Sequence, residues 1–169
     1  MEIENKYSEL FTPWKIGNLE IKNRIVMTSM GGTSLAIACP QLDKNYIKAM
    51  VIDCGYTSVG ELVVHLVNTQ KIPSFIFLGG VKFLAKHLAK VTFDEFYAPE
   101  ILAKNQIPTF FVHGTLDSVA STDFLLNNYN MCASRKDLLL VEGAKHTLAM
   151  IKGGQSAFDT LYKFIEKEE

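Results

Sequence analysis

The chain is expected to fold as an α/β domain. A parallel sheet of about four strands would carry a helical insert and an N-terminal β-hairpin. Three observations point there. The segments "IKAMVID", "PTFFVHG" and "DLLLVEG" are continuous apolar runs, the pattern of strands buried on both faces of a parallel sheet. The segments between and after them carry apolar residues at helical spacing. The resulting order from Arg24 onward is strand, helix, strand, helical insert, strand, helix, strand, helix, which implies a parallel sheet with crossover helices.

The elements justify themselves in turn. Trp14 to Ile16 and Leu19 to Lys22 read as two short strands, with Gly17-Asn18 as a two-residue hairpin turn. Ile25 to Thr28 is the first strand of the main sheet, and "SMGGTS" is a glycine-rich turn after it. "TSLAIAC" has the small apolar residues of a helix packed closely on a sheet, ended by Pro40. The insert, residues 60–106, reads as a helical lid. In "STDFLLNNYNMCAS", Phe124, Leu125, Tyr129 and Cys132 lie near helical spacing, with Ser121 or Thr122 as N-cap. "SAFDTLYKFIEKEE" places Ala157, Phe158, Leu161, Phe164 and Ile165 on one helical face.

Bulk properties exclude several function classes. With 169 residues the chain is long enough for one domain with a real core. A net charge of -1 and scattered lysines argue against a nucleic-acid or polybasic membrane surface. The most apolar stretch, around "IPSFIFLGGVKFLAKHLAKV", is interrupted by Lys82, Lys86 and His87 and is not expected to cross a bilayer. The N-terminus has no apolar signal-peptide core. The three cysteines, Cys39, Cys54 and Cys132, form no disulfide framework and no metal-ligand spacing. They fit a reducing, cytoplasmic setting with no metal and no cofactor.

In open parallel sheets function sits at the carboxyl ends of the strands. Ser29 follows the first strand, Asp117 follows "PTFFVHGTL", and His146 follows "LLLVEGAK". Serine, aspartate, histidine is a chain order in which a hydroxyl nucleophile, an orienting acid and a general base recur. Each also has a plainer reading. Ser29 and Asp117 are common turn residues, and His146 suits a strand end bonded to backbone. His113 reads as scaffold, His65 and His87 as structural or exposed, and Asp53, at a strand end, as a ligand or, in preference, a cap. The Phe75, Phe77, Phe83, Phe93 and Phe96 group reads as lid core, or as the apolar wall of a pocket over Ser29.

Taken together, "SMGG", "VIDCGYTS", "IPTFFVHGTLD", "LLLVEGAKH" and the last helix resemble the C-terminal half of an α/β-hydrolase of the esterase/lipase or serine-peptidase-like branch, over about residues 29–169. The resemblance implies Ser29 as nucleophile, Asp117 as acid, His146 as base and the Met30 backbone N–H as oxyanion donor. It implies residues 1–24 as an arm with a hairpin and 25–169 as the hydrolase half. Residues 6–34, "KYSELFTPWKIGNLEIKNRIVMTSMGGTS", resemble the opening of the old yellow enzyme (NADH:flavin oxidoreductase) family. That implies a fusion at "SMGG", without the phosphate-binding loops that hold FMN.

Two departures stand out. Met27 replaces the first glycine of the G-x-S-x-G elbow, and the strands that supply a second oxyanion donor are absent. The expected function is serine hydrolysis of small carboxylic esters, weakened by those losses. The alternatives are an inactive hydrolase remnant stabilised by self-association and a flavin-dependent reductase fragment. The first strand lacks neighbours on one side, which leaves two solutions, the Trp14–Lys22 hairpin folded over that edge or two chains joined through it; a homodimer with the hairpin contributing is expected.

Overall fold

A computed structural model describes residues 14–16, 19–21, 27–42, 47, 49–71, 74–90, 92–93 and 95–166; within these, nothing is described of the side chains of residues 14–16, 19–21, 27, 74–77 and 89. The Gly17-Asn18 turn, residues 25–26 of the first expected strand, and most of the flavin-reductase-like start lie outside the described residues.

The hairpin strands β1 (Trp14–Ile16) and β2 (Leu19–Ile21) pair antiparallel, Trp14 opposite Ile21. They form their own two-stranded sheet. The main sheet holds four parallel strands in sequential order: β3 (Met27–Thr28), β4 (Met50–Asp53), β5 (Thr109–Gly114) and β6 (Lys136–Val141). Their register aligns Thr28 with Asp53, Asp53 with Val112, and Val112 with Leu139. Four carboxyl ends therefore open on the same side. Among the described residues β3 is an edge, with β4 on one side and no strand on the other.

Alternation along the strands feeds two cores. On one face Met50, Ile52 and Phe111 pack with Leu35, Ala36, Leu102, Ile107 and Leu125. These last come from α1 (Met30–Ala38), α4 (Ala98–Leu102), α5 (Thr122–Met131) and the loop into β5. On the other face Phe110 and Val112 pack with Ala149 and Phe164 of α6 (Ala149–Glu166). The helix α6 is broken at Gly154, whose φ of 57° and ψ of -146° no helix holds. The expected face of α6 is only partly realised. Ala157 and Phe164 are buried and Leu161 and Ile165 pack on the core, while Phe158 pairs with Tyr162 at 6.3 Å between ring centroids.

The insert contains α2 (Val59–Thr69), α3 (Ser74–Leu84) continued by a π-helical turn over Ala85–Ala89, and α4. Ser58 caps α2, its hydroxyl accepting from the Glu61 N–H at 3.1 Å. Ser121 caps α5, accepting from the Asp123 N–H at 3.2 Å. The phenylalanine group is not a single lid core. Phe83 is 60% and Phe96 51% exposed, and Phe83 stacks on His87 at 4.1 Å instead. The reason is that the face of α3 carrying Phe83 and Leu84 has no described element over it.

Candidate active site

Ser29 sits between β3 and α1 with φ of 53° and ψ of -118°. A non-glycine residue there stores about 1–3 kcal/mol of strain, which surrounding contacts must hold. They do so from both sides. The Ser29 N–H donates to the Asp53 carbonyl at 2.7 Å, and the Ser29 carbonyl accepts from the Thr33 N–H at 3.1 Å. Thr33 then pins α1 to the loop after β4. Its hydroxyl donates to the Tyr56 carbonyl at 3.1 Å and accepts from the Tyr56 N–H at 2.8 Å. The helix begins at Met30, directly after Ser29, so the Met30 N–H is an unpaired first-turn donor by helix geometry.

Asp117 and His146 come from the loops after β5 and β6. Those loops close on each other through Gly114: a Cβ at this position would collide with the Ala144 carbonyl. That same carbonyl accepts from the Leu116 N–H at 2.9 Å, one residue before Asp117. The absence of a side chain at Gly114 therefore brings the acid loop against the base loop.

The three side chains form one hydrogen-bonded line. His146 Nε2 lies 2.8 Å from Ser29 Oγ, and His146 Nδ1 lies 2.7 Å from Asp117 Oδ2. Asp117 Oδ1 accepts from the Val119 and Ala120 N–H groups at 2.8 and 3.0 Å. Burial alone would raise the Asp117 carboxyl, but the His146 bond and the two backbone donors outweigh it and hold it below its ordinary value. An ionised Asp117 accepts from Nδ1–H, which leaves Nε2 as the acceptor of the Ser29 hydroxyl proton. The Asp117 side chain is fully buried, whereas that of His146 is 22% exposed, so of these two only the base reaches solvent.

The remaining candidates fall elsewhere. His113 is fully buried beside the line, with Nε2 3.0 Å from the Ala120 carbonyl and 3.4 Å from Asp117 Oδ2. Burial pushes its pKa down despite Asp117 beside it. His65 packs edge-on to Phe124 at 5.6 Å, and His87 Nδ1 lies 2.9 Å from the Phe83 carbonyl. Asp53 is not a helix cap, because α2 starts after it with Ser58 in that role. Its buried carboxylate accepts from the Cys54 thiol at 3.1 Å, and burial raises its pKa. Sequence reasoning missed Cys54. Its Sγ also accepts from the Thr147 N–H at 3.3 Å, next to His146, and its φ is 54°. The only signal was its place one residue past a strand end. A cavity of about 400 Å³ lies between α2, α3 and α5, lined in part by Val64, His65 and Phe124, but not by Ser29 or His146.

No family sequence profile matches the chain, and no curated sequence does. Solved structures do. An α/β fold family hydrolase from Bacillus anthracis is 13% identical with a TM-score of 0.53, covering 84% of this chain and 65% of its own. An esterase from Rhodococcus sp. is 14% identical with a TM-score of 0.53, covering 85% and 65%. A monoacylglycerol lipase from Paleococcus ferrophilus is 12% identical with a TM-score of 0.53, covering 84% and 67%. The fold is that of the α/β-hydrolases. The chain spans about two thirds of the length of these hydrolases. No helix among the described residues is long and apolar enough to cross a membrane.

Proposed function

We propose that the protein is a serine hydrolase of small carboxylic esters, acting through an acyl-enzyme on Ser29. The observation that carries this reading is the unbroken line Ser29–His146–Asp117 at 2.8 and 2.7 Å, ending on a serine in a strained turn at a helix start. His146 Nε2 takes the Ser29 proton as Oγ attacks the ester carbonyl. The developing oxyanion faces the Met30 N–H. Collapse expels the alcohol, which takes the proton back from Nε2. Water, deprotonated by His146, then attacks the acyl carbon; Ser29 Oγ leaves and is reprotonated. Asp117 stabilises the imidazolium in both halves.

Apolar side chains favour an apolar substrate. Met30, Leu116 and Leu148 stand beside or near Ser29, Asp117 and His146 in sequence and are 66%, 63% and 44% exposed. The insert over residues 60–106 acts as the lid. The Met30 N–H is the one oxyanion donor this reading assigns; a site working without a second donor forgoes about 3–4 kcal/mol of transition-state stabilisation and turns over slowly. The test is hydrolysis of a short-chain nitrophenyl ester. Activity lost in Ser29→Ala supports the reading, and equal activity in both proteins overturns it.

One observation favours an inactive, self-associating remnant instead: the edge of β3 that no strand among the described residues covers. In either case two chains join through that edge as a homodimer, and a monomeric mass by light scattering would contradict this. The three free, buried cysteines suit a cytoplasmic setting. The start of the chain is a flavin-reductase-like arm without FMN; yellow purified protein would contradict that.

A further inference from the structure

Behind the hydrogen-bonded line, three loops bring unlike donors together. Cys54 Sγ, a carboxylate oxygen of Asp117 and an imidazole nitrogen of His146 all lie within 4.8 Å of one another. Asp53 adds a second carboxylate, its Oδ1 3.1 Å from the same sulfur. The donors come from the loops after β4, β5 and β6, so no local spacing in the sequence marks them.

We propose that Cys54, Asp117 and His146 form a binding site for a thiophilic divalent cation of the Zn²⁺ class, and that binding there switches the site off. The switching part rests on the hydrolase reading; the binding part does not. One sulfur, one nitrogen and one carboxylate oxygen match the donor preferences of Zn²⁺, with water as fourth ligand. Tetrahedral Zn²⁺ at its usual bond lengths needs its ligand atoms roughly 3.3–3.7 Å apart. His146 Nδ1 and Asp117 Oδ2 stand at 2.7 Å, so they must part by somewhat less than 1 Å, while the sulfur moves in. The ion thus enters where the shared proton lies. The partly exposed His146 provides the way in.

The proton balance follows. Cys54 binds as thiolate and releases its proton to water. The imidazole stays neutral: Nδ1 gives up its proton to bind the metal, and Nε2 carries one instead. Nε2–H now donates to Ser29 Oγ and can no longer accept from it, so the serine keeps its proton. Net, one proton leaves for each ion bound. Asp53 beside the sulfur adds negative charge that favours the cation.

Co²⁺ titration tests binding optically, because a thiolate ligand gives Co²⁺ an intense near-ultraviolet charge-transfer band. The folded wild-type protein is expected to develop that band, and Zn²⁺ to displace it. Cys54→Ala should lose it, and His146→Ala, which alters a partly exposed residue and spares the buried thiol, should weaken binding at least tenfold. Absence of the band in folded wild type overturns the proposal, as does its persistence in Cys54→Ala. Zn²⁺ should also suppress wild-type ester hydrolysis at least tenfold. If the protein proves not to hydrolyse esters, the Co²⁺ band still decides the binding site.

Discussion

Asp117→Asn exchanges one carboxylate oxygen for an NH₂ group, and the structure dictates which one. The Val119 and Ala120 N–H groups both donate to Oδ1. An NH₂ at that position would face two donors, so the amide oxygen takes it and the NH₂ takes the Oδ2 position. That position lies 2.7 Å from His146 Nδ1. The amide then donates to Nδ1, which must be unprotonated, and the proton moves to Nε2. Nε2 can no longer accept from Ser29. A wrong tautomer of this kind costs about 10⁴ in kcat, roughly 5 kcal/mol of barrier. The loop should survive, because its backbone donors keep an acceptor. The assay is nitrophenyl ester hydrolysis with melting followed in parallel. A well-folded Asp117→Asn protein that keeps more than a tenth of wild-type kcat would refute the argument.

Further outcomes follow from particular contacts. Gly114→Ala sets a Cβ against the Ala144 carbonyl and should destabilise the fold by about 1–3 kcal/mol while lowering ester hydrolysis, measured by urea unfolding and initial rates. Phe111→Ala, deleting a fully buried ring edge-on to Tyr129 at 5.7 Å, should cost about 3–5 kcal/mol by the same unfolding assay. Burial raises Asp53, so its favourable contribution holds below the unfolded pKa of 3.8 and is lost as pH rises through the folded value. Asp53→Asn should therefore raise Tm at about pH 7 and lose that advantage in acid; an equal Tm change at both pH values would contradict it. Burial lowers His113, so wild-type stability should fall as pH drops below 6.5 through its folded pKa, with Asp117 adding a further loss below 3.8. Calorimetry across that range checks both.

The main sheet was legible because its apolar runs are continuous and its punctuation is clear. "PTFFVHG" became β5 over Thr109–Gly114, and the runs on either side became β4 and β6. The loops carrying Ser29, Asp117 and His146 were legible for the same reason: each follows a strand end. What escaped was whatever depends on contacts between distant loops. Cys54 reads in sequence as one more apolar residue, yet it bonds both Asp53 and the Thr147 N–H beside His146. Nothing in the sequence sets Gly114 apart, yet what makes it glycine is the Ala144 carbonyl from another strand's loop. Phe83 and Phe96 show the opposite failure. Their apolar character suggested a core, and periodicity alone carries no information on which faces find a partner.

The most direct test of the central claim is reaction of the wild-type protein with a fluorophosphonate, followed by intact-mass and peptide analysis, beside Ser29→Ala. Such a reagent captures a serine only when a base has activated it. The account requires a single adduct, located on Ser29 and absent from the variant. An unlabelled but folded protein, or an adduct on another serine, would contradict it.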